Sequence, residues 1–175
     1  MGSIDEEFRK MVKENYDFSS WAGKTKYFKG KLCENFFLHT KKFEGWSLEE
    51  KEELPTFYSE RSTVQYIYNL PAEEGKERIA VAITVREFNS ILEAHEALID
   101  LLMTYMAPYL PRCEEKGLNI GDVCFGGHGD LQTSVIFTRY NILVRIDSVG
   151  TKDISVKEFA ETIDSQIIAD QQNHR

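Results

Sequence analysis

The residues best equipped for chemistry by type and spacing sit between Asp122 and Asp130. Cys124 and His128 bracket a Gly126-Gly127-His128-Gly129-Asp130 loop, with Asp122 just before it. A cysteine with a nearby histidine can act as nucleophile and base. The catalytic candidates are therefore His128 as acid or base, with Cys124, Asp122 or Asp130 as its companion. The local sequence shows no third group to orient the pair, and a glycine-rich run of this kind also reads as a wide hairpin turn. Zinc is disfavoured, because Cys113, Cys124 and His128 lack the paired Cys-x-x-Cys spacing of structural sites. No metal and no cofactor is expected.

A second group comes from strand alternation. Thr84 and Arg86 share one face of a period-2 run, and Arg145 and Asp147 share the corresponding face of another. With Gln65 they would form the polar side of a sheet. Such a face reads first as the wet side of a half-buried sheet. The alternative starts from the aromatic N-terminal region, including Trp21, which needs something to pack on. Folded over the polar face as a lid, it would enclose Arg86, Arg145 and Asp147. Buried charges must be paired, so these residues would make an ion pair or a polar cavity. Arginine offers a planar fork suited to carboxylate or phosphate. Arg86, Arg145, Asp147, Thr84 and Trp21 are the ligand-binding candidates.

Other features carry less. Lys24, Lys26, Lys29, Lys31, Lys41 and Lys42 fall close together and read as a solvated face, with an anion patch as the other reading. Gly23-Lys24-Thr25 lacks the leading glycine and the preceding strand of a phosphate loop. His39 reads as a surface residue, His95 as a flank or core residue of a helix, and His174 as part of the tail. No nucleophile elbow, dinucleotide fingerprint, EF-hand or zincin motif is present.

The elements that must position these residues follow from periodicity. Ile4, Phe8, Met11 and Val12 recur at helical spacing. Residues 16 to 62 read as irregular, with short strands near 25–29 and 34–40 and a brief helix opened by the capping box Ser47–Glu50. Val64 to Leu70 and Ile79 to Val85 alternate as a hairpin around a polar turn. Ser90–Glu93 is a second capping box, opening a helix from Ile91 to Met106. Strands follow at 119–125, 132–138 and 142–148, the last two joined by a tight turn in which Asn141 tolerates positive φ. A third capping box at Ser155 opens a helix to 168, and 171–175 reads as a frayed tail.

This order predicts one α+β domain over 1–175. It would be a two-layer structure, with an antiparallel or mixed sheet of five to six strands, two main helices on one face and an aromatic-rich N-terminal segment. The link from strand 79–88 through the long helix reads as a right-handed crossover.

Composition narrows the function classes. The 175 residues carry a net charge of -8, which repels phosphate backbones and argues against nucleic acid. Aromatic residues at 12%, including eleven Phe, argue against disorder. No apolar run reaches membrane-spanning length. An odd number of cysteines without framework spacing fits a reducing compartment, hence a cytoplasmic expectation. That expectation weakens if Met1-Gly2-Ser3 is an added head that replaced a native leader. The leading expectation is a non-enzymatic domain that holds a small molecule or a protein partner on the polar sheet face. The alternatives are a small enzyme using His128 and a structural or homodimerising subunit.

Overall fold

The computed structural model describes residues 4–25, 28–38, 43–57, 59–105 and 109–173. His39, His174, Lys26, Lys41, Lys42 and the expected helix end at Met106 lie outside them. The elements run α1 (Ile4–Asn15), β1 (Ser47–Glu53), β2 (Glu60–Asn69), β3 (Ala80–Phe88), α2 (Ile91–Leu102), β4 (Val123–Gly126), β5 (Ser134–Arg139), β6 (Ile142–Ser148) and α3 (Lys157–Asn173). Short 3-10 turns occupy Phe18–Lys24 and Cys113–Lys116. The strands form one open, six-stranded antiparallel sheet in the order β1-β2-β3-β6-β5-β4.

The chain leaves β3 through α2, starts again at the far edge with β4, and fills inward through β5 to β6. The expected right-handed crossover is not formed. Alternation along the order puts β4 antiparallel to β3, and the handedness rule governs parallel pairs only. The β5–β6 turn is as tight as expected, since Arg139 pairs with Ile142. Its left-handed residue is Tyr140, at φ 55°, and not Asn141. The Asn141 side chain is spent elsewhere. Its Nδ2 donates to the carbonyls of Phe88 and Cys33, and its Oδ1 accepts from Cys33 N at 3.1 Å.

The sheet has a core on each face. Val64, Tyr66, Ile83, Val144 and Phe137 point one way and pack with Phe159, Ile163 and Ile167 of α3. Leu143, Ile136, Phe125 and Val123 alternate with them, point the other way and pack with Leu98, Ile99 and Leu102 of α2. The two long helices were expected on one face. They lie on opposite faces, because β4, β5 and β6 are apolar on both sides.

The aromatic segment divides in the same way. Tyr16 and Trp21 join the α2 side, while Phe36 and Phe43 join the α3 side with Phe28 and Trp46 packed against them. Phe43 stacks on Phe159, with ring centroids 4.7 Å apart. Most of these aromatics go where large apolar side chains offer the most area to bury, so they do not roof the polar face.

Three local expectations are corrected. Ser47–Glu53 is an edge strand, paired with β2, and not a capped helix. Its acidic residues lie along an exposed sheet edge, where charge discourages strand addition. None of the described residues in 25–29 and 34–40 is in a strand. Residues 33–36 are held by side chains instead, with Glu87 accepting from Asn35 N and Phe36 N. Finally, α3 runs to Asn173, and the buried Gln171 donates to Lys31 O at 3.0 Å, so Gln171–Asn173 is ordered helix. The Ser90 cap forms, its hydroxyl accepting from Glu93 N at 3.1 Å, while the Glu93 carboxylate accepts from the Ser90 hydroxyl at 3.0 Å in place of the backbone N–H that a capping box uses.

Candidate functional site

The polar sheet face is on the α2 side, and α2 roofs it. Cross-strand register sets Gln65 opposite Thr84 and Thr84 opposite Arg145, while Arg86 stands opposite Leu143. Arg86 and Arg145 are therefore diagonal neighbours, roughly 7–8 Å apart along such a ladder. The last turn of α2 contributes Leu101 above them. Between helix and sheet lies a groove of about 170 Å³ lined by Thr84, Arg86, Leu101, Leu143 and Arg145. In liquid water that volume holds about six molecules.

Each arginine is held by a carboxylate on one edge of its guanidinium. Arg86 Nε donates to Glu60 Oε1 at 3.0 Å, and its Nη2 donates to the same oxygen. The Glu60 side chain is buried, and its Oε2 accepts from the Thr63 hydroxyl at 2.6 Å. Arg145 Nε donates to Asp147 Oδ2 at 2.7 Å, while the Ser134 hydroxyl donates to Asp147 Oδ1 at 2.7 Å. The Tyr105 hydroxyl lies beside Ser134, Arg145 and Asp147, and burial pushes its pKa upward. Among the described residues, Nη1 of Arg86 and both Nη atoms of Arg145 have no hydrogen-bond partner. The Arg145 side chain keeps 41% of its surface exposed. The groove thus sets unused planar donors beside two leucines, Leu143 next to the arginines on the sheet and Leu101 above them.

The structure brings Thr84, Arg86 and Arg145 together and ties Asp147 to Arg145. Trp21 is not with them. It is fully buried, its indole Nε1 donates to Tyr16 O at 3.1 Å, and its ring packs against Phe18, His95 and Phe125. Its contacts are those of a core residue, and the lid expected of it is supplied by α2. Leu101, Leu143, Glu60 and Tyr105 were not singled out from sequence. Leu143 shares the parity of Arg145 and Asp147 and was legible on that ground. Glu60 stands before a register shift in β2 and carried no periodic signal.

The other constellation is not assembled for nucleophilic catalysis. Cys124 is joined to Cys113 by a disulfide and so presents no thiol. Asp122 is buried in an ion cluster. Its Oδ1 accepts from Arg139 Nη1 at 2.9 Å and its Oδ2 from Tyr140 N at 2.7 Å. Arg139 also makes a two-pronged contact with Asp164 of α3, at 2.7 and 2.8 Å. Burial raises the Asp122 carboxyl above its ordinary range, opposed by Tyr140 N–H and Arg139. This cluster ties β4 and β5 to α3. His128 and Asp130 stand exposed at the loop. The loop is organised by its carbonyls, with Lys116 Nζ donating to His128 O at 3.0 Å and Gln132 Nε2 to Gly129 O at 2.9 Å.

The remaining titratable candidates are core. His95 is 2% exposed, and burial lowers its pKa to about 4. Cys33 is buried and its thiol is pushed up to about 12, which leaves it unreactive at neutral pH. Among the described residues, no cluster of His, Cys, Asp and Glu could hold a metal ion. Among the same residues, no helix is long and apolar enough to cross a membrane. Of the lysine group, Lys29 and Lys31 are exposed and Lys24 lies 3.9 Å from Glu114.

Other hollows exist among the described residues. One, of about 240 Å³, is lined by Phe43, Glu44, Trp46, Glu158, Phe159 and Thr162. A larger one, of about 480 Å³, lies on the outer surface of α3 around Thr162 and Gln166. Its described wall comes from a single helix, so no opposed groups converge there. Compared with known proteins, the chain matches no protein-family model, no curated protein and no solved structure.

Proposed function

We propose that this domain is a non-enzymatic binding module that takes a small polar molecule in the groove between α2 and the polar sheet face. One observation carries the reading. Thr84, Arg86 and Arg145, brought together by strand register, share a recess of about 170 Å³ with Leu101 and Leu143. Small-ligand sites combine apolar lining with a few converging polar groups, and this recess has both. Its volume is below the usual range of a few hundred Å³. It therefore fits a very small molecule, or the polar end of a larger one whose remainder lies outside. The groups lining the groove donate hydrogen bonds and offer apolar contact, which is what holding a ligand requires.

A thermal-shift screen of small polar molecules tests the reading, run on the native chain and on Leu101→Trp, which fills the groove. A compound at about a hundredfold excess over its Kd stabilises the fold by about 2.7 kcal/mol, and the melting point rises accordingly. The expected result is a shift in the native chain that Leu101→Trp abolishes while keeping its own transition. A shift that survives Leu101→Trp unchanged would place binding elsewhere and overturn the proposal.

The cytoplasmic expectation now turns on the cysteines. Disulfides persist in oxidising compartments and are rare where thiols are kept reduced. A cytoplasmic setting requires Cys113 and Cys124 to be recovered as thiols from protein isolated under thiol-trapping conditions. Recovery of the bonded pair would place the domain in an oxidising one.

A further inference from the structure

The groove, taken as the binding site proposed above, also specifies the chemical class of its ligand. Arg86 and Arg145 contribute two positive charges, and Glu60 and Asp147 contribute two negative ones. The local cluster is therefore neutral before anything binds. A neutral cluster gives little net Coulomb attraction to any anion, and enclosing a dianion costs more desolvation than enclosing a monoanion, so phosphate-like ligands are disfavoured here. Planar donors remain. Asp147 takes only Nε of Arg145, at 2.7 Å, and is itself fixed by the Ser134 hydroxyl, at 2.7 Å. Arg145 is thereby held in one orientation, with the Nη1–Nη2 edge of its guanidinium unspent among the described residues. That edge matches the two oxygens of one carboxylate or phosphate group, so the fork selects an oxyanion and the charge balance selects the singly charged one. Thr84 stands directly across the ladder from Arg145 and offers a hydroxyl beside the same point. Beside it, Leu101 and Leu143 present apolar surface. The volume of about 170 Å³ limits that surface to a short chain or a small ring.

We propose that the ligand is an amphipathic monocarboxylate, its carboxylate paired end-on with Arg145 and its aliphatic or aromatic tail against Leu101 and Leu143. Asp147 and Ser134 are positioning residues in this arrangement, since they fix the guanidinium without reaching the ligand.

The test is a methyl-NMR titration with three probes: isovalerate, its neutral isostere isovaleramide, and inorganic phosphate. Isovalerate is expected to shift the Leu101, Leu143 and Thr84 methyl signals and to bind about 10- to 100-fold more tightly than isovaleramide, the worth of a charge-assisted hydrogen-bond pair. Phosphate is expected to leave those signals in place. Arg145 is partly exposed, so Arg145→Gln keeps the fold; it is expected to erase the preference for isovalerate over isovaleramide. Arg145→Lys keeps the charge without the planar fork and is expected to recover only part of it. Equal affinity for isovalerate and isovaleramide, both lost in Leu101→Trp, would overturn the carboxylate assignment and leave the groove as the site. Phosphate binding at the groove more tightly than isovalerate would overturn the charge argument. Failure of all three probes to shift these methyl signals would overturn the ligand class, with the groove itself judged by the wider screen.

Discussion

Lowering the pH from 7 to 5 should cost this protein about 2 kcal/mol of stability through one side chain. His95 lies on α2 against the Trp21 ring, with centroids 5.7 Å apart, and its Nε2 is buried without a hydrogen-bond partner. Burial lowers its pKa to about 4, with the neighbouring Glu96 carboxylate opposing weakly. In the unfolded chain it titrates at its ordinary value near 6.5. Because the folded value is the lower one, the unfolded state takes up the proton first as pH falls. The contribution of neutral His95 is therefore complete above about pH 6.5 and is lost between about pH 6.5 and 4. Integrating between those values gives a loss of about 2 kcal/mol at pH 5 and about 3 kcal/mol at pH 4. Urea denaturation at fixed pH values, on the native chain and on His95→Leu, measures it directly. Leucine is close in volume and suits a helix, and it removes an unpartnered buried nitrogen. The variant should be as stable as the native chain or more so at pH 7, and about 2 kcal/mol less sensitive to the step from pH 7 to 5. Identical pH dependence in the two proteins would refute the burial argument for His95.

Three further outcomes follow from the same geometry. Arg139→Met leaves the Asp122 and Asp164 carboxylates buried without their cation and should cost about 3–5 kcal/mol at pH 7 by denaturant unfolding; a loss below about 1 kcal/mol would mean the cluster is hydrated. Reducing the Cys113–Cys124 bond, which joins positions 11 apart, should cost about 3 kcal/mol by loop-closure entropy, read as a lower urea midpoint in the double Cys→Ser variant. An unchanged midpoint would show that the bond adds no constraint. Gly150→Ala drives a Cβ into Arg78 O and to 2.8 Å from Ala80 N, both backbone atoms, and should cost about 3 kcal/mol, at the upper end of overpacking; a neutral variant would show that the 78–80 strand end yields freely.

The sheet and α2 were legible because their signals were local. Val64–Leu70 and Ile79–Val85 alternate strictly, and Ser90 with Glu93 marks the start of α2 without reference to anything distant. The alternation also put Thr84, Arg86, Arg145 and Asp147 on one face before any register was known. What closed over that face was not legible. Leu101 belongs to the apolar stripe of α2, and nothing in the stripe says that its last turn overhangs arginines while its middle packs on Leu143 and Ile136. The expected lid failed for an energetic reason. Phe36 and Phe43 bury more apolar area beside Tyr66, Tyr68 and Phe159 than a polar face could offer. β1 was misread because Ser47-Leu-Glu-Glu50 satisfies a capping box, yet edge pairing with β2 overrides a local propensity worth only tenths of a kcal/mol per residue. The disulfide was missed because pairing depends on the fold that brings Cys113 beside β4, which spacing does not encode.

A crystallographic fragment screen tests the central claim most directly, because it asks where small molecules settle without presuming their chemistry. Fragments should collect in the groove beneath α2, with oxyanions against the free edge of Arg145 and apolar parts on Leu101 and Leu143. A groove left empty while fragments fill the hollow between Phe43, Trp46 and Phe159 would contradict the account.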